Sequence, residues 1–274
     1  MRHTPKISLA SIVAVSLTLA ALLLAPPELR AAESKAEGLR AWQRGDYAAA
    51  IDLLRSVADA GDPDAQNALG KMLSTGSLDV PRNDVEAVSW FRKAANQGYA
   101  RSENNLATMF ERGLGVTRSE AEAARWYRRA ALQGLAAAQY NLGRLYETGK
   151  GVPRDLTQAA LWYGKAVDQN LALSQAAFGL MYRDGIGVAQ DHAEALRLFR
   201  LASDQGLAAA QYYMGVMYTS GSGVAKNDEE AKAWYQKAAD QGLPAARQAL
   251  DEMQAAGTAG AANAAGTSSA RNGH

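Results

Sequence analysis

The chain has 274 residues, of which 48% are hydrophobic, 21% charged and 7% aromatic, with 25 Gly and only 7 Pro. That apolar content suffices for a packed core and excludes wholesale disorder, and an Ala-rich, Pro-poor composition favours helix. The net charge of +1 offers no basic field for nucleic acid, the lack of Cys excludes disulfide, zinc-thiolate and iron–sulfur chemistry, and three His (His3, His192, His274) are too few for a multi-His metal site.

In chain order, Arg2, His3 and Lys6 precede residues 7–25, a run without a charge that ends at Pro26-Pro27. A basic start followed by an apolar stretch is the pattern of an export signal. Its length lies between the apolar core of a cleaved signal peptide, about 7–15 residues, and a spanning helix of about 20. Residues 1–32 therefore read as a signal peptide or an N-terminal membrane anchor. Either places the rest of the chain outside the cytoplasm, in the periplasm or cell envelope, because Arg2 and Lys6 hold the start inside. Contact with a membrane is expected only through this segment, if it is retained.

Residues 33–60 carry Arg44-Gly45-Asp46-Tyr47 between two Ala-rich stretches and read as a first helix pair, Glu33 to Arg44 and Tyr47 to Ala60. From there the chain repeats itself every 36 residues. Gln97, Gln133, Gln169, Gln205 and Gln241 form one column, and Phe91, Tyr127, Tyr163, Phe199 and Tyr235 another. A third is Ala87, Ala123, Ala159, Ala195 and Ala231. The columns define five copies over 61–242, at about 61–97, 98–133, 134–169, 170–205 and 206–242.

Each copy reads as two helices. The first is clearest at Ala138 to Thr148, where Ala138, Leu142, Leu145 and Tyr146 share one face. Gly149-Lys150-Gly151 then stops it, as Gly-x-Gly does in three other copies; the first copy has the longer Gly76-Ser77-Leu78-Asp79. The second helix opens on Asn83, Ser119, Asp155, Asp191 or Asn227, followed three residues on by Glu86, Glu122, Gln158, Glu194 or Glu230. That spacing predicts a reciprocal capping box in all five copies. Each second helix ends at the Gln column, followed by Gly or Asn170. Residues 243–255 read as a capping helix, since Asp251 stands where Gly70, Gly143, Gly179 and Gly215 allow close helix packing. Residues 256–274 have no core-forming side chain and are expected to be disordered.

The pattern small-x-x-x-Leu-Gly-x-x-Tyr-x-x-Gly-x-Gly-Val, then Asp/Asn-x-x-x-Ala-x-x-Trp-Tyr-x-x-Ala, resembles the Sel-1-like repeat (SLR) family, a branch of the tetratricopeptide-type repeats. The resemblance implies an all-α, right-handed superhelical α/α solenoid that holds other proteins together. Bacterial members are often exported and act in envelope regulation, polysaccharide export or host contact. In such folds the first helices line the concave side.

Partner recognition is expected where copies differ on those helices. One such column is Asn67, Asn104, Tyr140, Ala176 and Tyr212; a second is Lys71, Thr108, Arg144, Leu180 and Val216. Asn104, Thr108, Tyr140, Arg144, Leu180 and Tyr212 are the candidate partner-binding residues, for a peptide or helix with one acidic end. These columns equally suit ordinary solvated or half-buried positions. No catalytic residue, cofactor or metal ligand is expected. The Gly-x-Gly loops lack a preceding strand and a third Gly, Gly143 to Lys150 is one residue too long for a P-loop, and His192 reads as a surface side chain on a helix's first turn. The leading reading is a non-enzymatic exported scaffold or adaptor. The alternative is a cell-wall or β-lactam-type hydrolase, a role proposed for cysteine-rich relatives, whose Cys pairs are missing here.

Overall fold

A computed structural model describes residues 26–256. The apolar run of the export segment and nearly all of the expected disordered tail lie outside the described residues. Within them the chain is helical, without strands, and no helix is long and apolar enough to cross a membrane. The first pair is α1 (Pro27–Arg44) and α2 (Tyr47–Asp59). α1 begins at Pro27, upstream of the expected Glu33, because Pro suits a first helical turn and Glu28 favours the helix dipole there. Five pairs follow: α3 (Pro63–Thr75) with α4 (Asp84–Asn96), α5 (Ala100–Arg112) with α6 (Glu120–Leu132), α7 (Ala136–Thr148) with α8 (Leu156–Val167), α9 (Ala172–Asp184) with α10 (His192–Asp204), and α11 (Ala208–Ser220) with α12 (Asp228–Asp240). A last helix, α13, covers 244–256. The described residues form two compact units, divided between Trp126 and Tyr127, inside α6.

Within a pair, helix spacing is set by a ring lying on a glycine. A Cβ placed on Gly70 would stand 2.6 Å from the Phe91 ring, one on Gly143 2.8 Å from Tyr163, one on Gly179 2.8 Å from Phe199, and one on Gly215 2.5 Å from Tyr235. The glycine therefore makes room for the aromatic side chain of its own pair's second helix, rather than for a neighbouring backbone. The second copy carries Ala107 at this position, also buried. In unit 1 the rings and their neighbours join Leu54, Leu69, Met72 and Leu106 in one cluster. In unit 2 Tyr163 packs with Ala159 and Met181, and Phe199 with Met214 and Met217.

A second set of contacts is polar and buried. Gln97 Nε2 donates to Gln66 Oε1 at 2.9 Å, and Gln66 Nε2 donates to the Ala58 carbonyl at 2.9 Å. In unit 2 the same amide pair recurs as Gln169 to Gln139, Gln205 to Gln175 and Gln241 to Gln211, at 2.7–2.8 Å. Gln139 reaches back to the Ala131 carbonyl. Each buried glutamine thus ties the start of a first helix to its own second helix, and in two copies also to the helix before it. Asn170, the one non-glycine among the described residues with positive φ (60°), adds its side-chain oxygen to this chain of amides by accepting from Gln175 and Gln205.

The second-helix caps form only half as expected. The forward bond is present in every copy, from the N–H of Glu86, Glu122, Gln158, Glu194 and Glu230 to the side chains of Asn83, Ser119, Asp155, Asp191 and Asn227. The reverse bond, from the cap residue's N–H to the acidic side chain, is not made. Those N–H groups donate instead to first-helix carbonyls, at 2.8–3.0 Å: Asn83 to Leu73, Ser119 to Phe110, Asp155 to Tyr146, Asp191 to Tyr182 and Asn227 to Tyr218. A carbonyl fixed by the preceding helix costs no side-chain entropy and is itself an unsatisfied helix-end group. Glu86, Glu122 and Glu194 are left to pair with Arg55, Arg125 and Arg197.

α1 is tied down by charge. Lys35 Nζ lies 2.9 Å from both Asp62 and Asp64, and the Tyr99 hydroxyl donates to Asp64. At the other end Asp251 is exposed, while Leu250 packs against Ala238, Ala239 and Ala246.

Two predictions follow from these contacts. Gly164 is also inside a helix, but a Cβ there would sit 3.6 Å from the Phe178 ring, an ordinary contact. Gly164→Ala should therefore raise stability by up to about 1 kcal/mol through helix propensity. Gly215→Ala gains the same propensity but overpacks the Tyr235 ring, at about 1–3 kcal/mol, so it should be neutral or destabilising. Thermal melts of the two variants check this, and equal stabilisation would contradict the ring-on-glycine contact. The second concerns acid. The hydrogen bond from Tyr99, then that from Lys35, holds the Asp64 carboxyl below its ordinary 3.8. A depressed folded-state pKa contributes stability above the unfolded value and loses it as pH falls through the folded one. The stability gap between wild type and Asp64→Asn should be full near neutrality and close below about pH 4, as urea melts along a pH series would record.

Candidate functional site: the outward face of the first helices

The six candidate residues all lie on first helices, and all are half-buried. Asn104 and Thr108 are in unit 1, one turn apart on α5, where Thr108 Oγ1 donates to the Asn104 carbonyl at 3.1 Å. Beside them, Asn67 Oδ1 accepts from Ser102 and Asn105, both at 3.0 Å, so this part of the face is an amide and hydroxyl network linking α3 to α5. Lys71 stands 5.4 Å over the Trp42 ring.

Tyr140, Arg144, Leu180 and Tyr212 are in unit 2. Tyr140 and Arg144 are adjacent on α7; burial, opposed by the Arg144 charge, raises the Tyr140 hydroxyl above its ordinary value. The Tyr140 ring lies 5.7 Å from that of Tyr163, whose hydroxyl donates to Glu147 Oε2 at 2.6 Å. Burial first, then the Glu147 hydrogen bond, pushes the Tyr163 hydroxyl far up, so it remains a donor. Leu180, on α9, packs on the Phe199, Met214 and Met217 cluster. Tyr212, on α11, meets the rings of Tyr213 and Tyr235 at 5.3 and 5.5 Å. The structure thus brings Tyr140 to Arg144, and places Leu180 and Tyr213 on one cluster. Asn104 and Thr108 belong to the other unit, and α9 separates the helices of Tyr140 and Tyr212. Ala176 is buried and presents nothing.

Two residues of this face escape a search of two columns. Arg183 holds Asp184 with a bidentate contact of 2.7 and 2.8 Å, and its guanidinium lies 5.3 Å from the Tyr213 ring. Tyr213 stacks on Phe199 at 5.2 Å. The signal was present in sequence: Tyr213 is the aromatic member of a column otherwise holding Ala68, Asn105, Asn141 and Ala177, and Arg183 is the cation in a column of Ser74, Glu111, Glu147 and Thr219.

The chemistry available here is stacking and hydrogen bonding. Among the described residues no group of His, Asp and Glu could hold a metal ion. The Gly-x-Gly loops have a packing role: Gly185 closes α9 in a left-handed conformation, and a Cβ on Gly187 would stand 2.5 Å from the Leu156 carbonyl, at the start of α8. His192 departs from the expected solvated side chain. It is half-buried with Nδ1 enclosed and without a hydrogen-bond partner, because the loop at Gly223 closes against its carbonyl.

Comparison with known proteins agrees with this architecture. The model of the Sel1 repeat matches residues 63–99, 100–135, 136–171, 172–207 and 208–243. The structure is similar to a protective antigen of uropathogenic Escherichia coli with an SLR fold, with 33% identity, a TM-score of 0.72, and 81% of this chain on 48% of that one. It is similar also to a Sel1 repeat protein of Oxalobacter formigenes, with 35% identity, a TM-score of 0.71, and 80% of this chain on 64% of that one. An F-box protein of Arabidopsis thaliana is 35% identical over 77 residues, 28% of this chain and 21% of that protein. The chain thus spans about a fifth of this curated relative and about half to two thirds of the two solved proteins. With five repeat matches over 63–243, and rings, caps and glycines recurring at the same period, the chain belongs to the Sel1-repeat family of α/α solenoids.

Proposed function

We propose that this chain is a non-enzymatic adaptor of the bacterial cell envelope, exported by its N-terminal segment, which binds a protein partner through the face of its first helices, the concave side that the family resemblance implies. Sel1-repeat proteins generally mediate protein–protein interaction, on a scaffold that is generally non-catalytic. The observation that carries the reading is where the repeat breaks. The scaffold has the ring, the cap and the closing glutamine in each copy, and the glycine in four of the five. On α7, α9 and α11 the residues that depart from their columns include Tyr140, Arg144, Leu180, Arg183, Tyr212 and Tyr213, half-buried aromatic, cationic and apolar side chains. Tyr and Arg are enriched among binding hot spots because they combine large contact area with a polar tip. The basic start of residues 1–6 and the uncharged run that follows support export.

Tyr140 packs on Tyr163, so its ring has to be kept in any test of binding. Tyr140→Phe with Arg144→Ala removes one hydroxyl and one guanidinium while leaving that contact. The expected result is unchanged melting and at least tenfold weaker binding, about 1.4 kcal/mol, to a partner cross-linked and identified from the envelope fraction. Arg125→Ala with Arg129→Ala, on α6, is the control; loss of binding in the control alone would move the interface to the second helices. For export, a reporter that works only outside the cytoplasm should be active when fused after His274, and activity of a cytoplasmic reporter alone would reject it.

A further inference from the structure

The second helices carry a contact of their own, and of the four first helices that offer the aromatic partner one goes without it. Arg92 on α4 lies 5.9 Å over the Phe110 ring of α5. Arg128 on α6 lies 5.8 Å over the Tyr146 ring of α7 and donates to its hydroxyl. Arg200 on α10 donates to the Tyr218 hydroxyl of α11 at 3.3 Å. In each case an arginine of a second helix covers the aromatic residue of the first helix that follows. In the third copy the aromatic residue is kept, as Tyr182, but the arginine is replaced by Gly164.

The replacement opens a groove. Between α8 and α10 lies a cavity of about 530 Å³, lined by Leu161, Gly164, Phe178 and Val188 among others. The corresponding groove of the first copy, which holds Arg92, measures about 400 Å³. Phe178 departs from its own column as well. Leu69, Leu106, Leu142 and Met214 are fully buried there, whereas Phe178 is half-buried, 4.7 Å from the Tyr182 ring. Leu161 beside it is 48% exposed. One aromatic ring, Phe178, and an aliphatic wall thus line the groove where the chain elsewhere supplies its own guanidinium.

The charges on the rim fit the same occupant. Lys165 lies 4.4 Å over the Trp162 ring, and Arg197 is held by both oxygens of Glu194 at 2.6 and 2.7 Å. Both rim cations are therefore committed to their own partners. Asp168 remains, exposed, with a carboxylate that makes no hydrogen bond or ion pair within the described residues.

We propose that the groove at Gly164 is a docking site for an arginine side chain presented by a partner protein. The guanidinium stacks on Phe178 as Arg92 and Arg128 stack on their rings, its stem lies along Leu161, and Asp168 meets its charge. A planar, forked cation suits this arrangement better than a lysine ammonium, which can sit over a ring but cannot lie flat on it and meet a carboxylate with a second N–H at once. The site shares no residue with the six first-helix candidates, so it stands or falls independently of them.

The test is heteronuclear NMR of the full chain titrated with N-acetyl-L-arginine amide up to tens of millimolar. The expected result is a saturating set of shifts confined to Leu161, Gly164, Phe178, Tyr182 and Val188, with the lysine analogue at least about fivefold weaker. Gly164→Arg with Phe178→Leu restores the pattern of the other copies and should abolish the shifts. Asp168→Asn, which leaves all packing in place, should weaken them at least threefold. No shifts, equal shifts with the lysine analogue, or undiminished shifts in either variant would overturn the proposal.

Discussion

The contact on which the remaining structure depends is the ring seated on the backbone of its partner helix. In four pairs the ring is buried against a residue with no Cβ in its path, Gly70, Gly143, Gly179 or Gly215; Tyr127 is buried as well, in the copy that carries Ala107. A mid-helix glycine costs about 1 kcal/mol relative to alanine. Burying the ring contributes about 1.5–3 kcal/mol, so the exchange is favourable in each of these four pairs. It also fixes the distance between the two helices, because the ring has one thickness. Once that distance is set, the carbonyls at the end of the first helix meet the cap N–H groups of the second, and the paired glutamines come within hydrogen-bond range.

The glutamine pairs do a different job from the rings. Buried amides left unsatisfied would cost about 1–3 kcal/mol each, so a helix that slid by one residue would lose both partners. Apolar packing tolerates such a slip far better, since leucine and methionine reshape. The amide pairs therefore specify register, while the rings and leucines supply most of the stability. Asn170 shows the coupling: it takes a backbone conformation that other copies give to glycine, and its side-chain oxygen accepts from Gln175 and Gln205. One residue ends a helix and fastens the next one.

Much of this was legible before any coordinates. The period, the two helices per copy, the cap residues and the stop at each glycine all follow from columns, because each answers a local requirement that a residue type states on its own. What could not be read were contacts whose partner lies on another helix. The capping box was complete in sequence, yet the cap N–H chose a carbonyl about ten residues upstream, and the sequence carries no mark of a backbone acceptor. The glycine column was visible, but not that a ring rather than a helix fills the space. Gln66, Gln139, Gln175 and Gln211 form a column that went unread, because a buried amide looks like a surface one until its partner is placed. On the first-helix face, Tyr140 and Tyr212 could be read as either solvated or half-buried, and the structure gives the second, whereas Tyr213 and Arg183 were passed over despite breaking their columns plainly.

That contrast gives a rule for finding function in a repetitive chain. Stability in such arrays is close to a sum over copies and their neighbours, so a residue required by the scaffold is required in every copy. A departure has to be explained either by a compensating departure nearby or by something outside the chain. Asn170 for glycine is explained internally, through its amide bonds. The exchange of Leu for Phe178 is explained in part, since Gly164 leaves space beside it, but a compensated swap should close the surface again. Here it does not: the ring stays half-buried, Leu161 stays exposed and the cavity is larger than its counterpart. The same holds for Tyr213, which stacks on Phe199 although the other copies need no ring in its column. Departures that leave aromatic surface open to water work against the scaffold's own stability. They carry a cost, which covering that surface would offset.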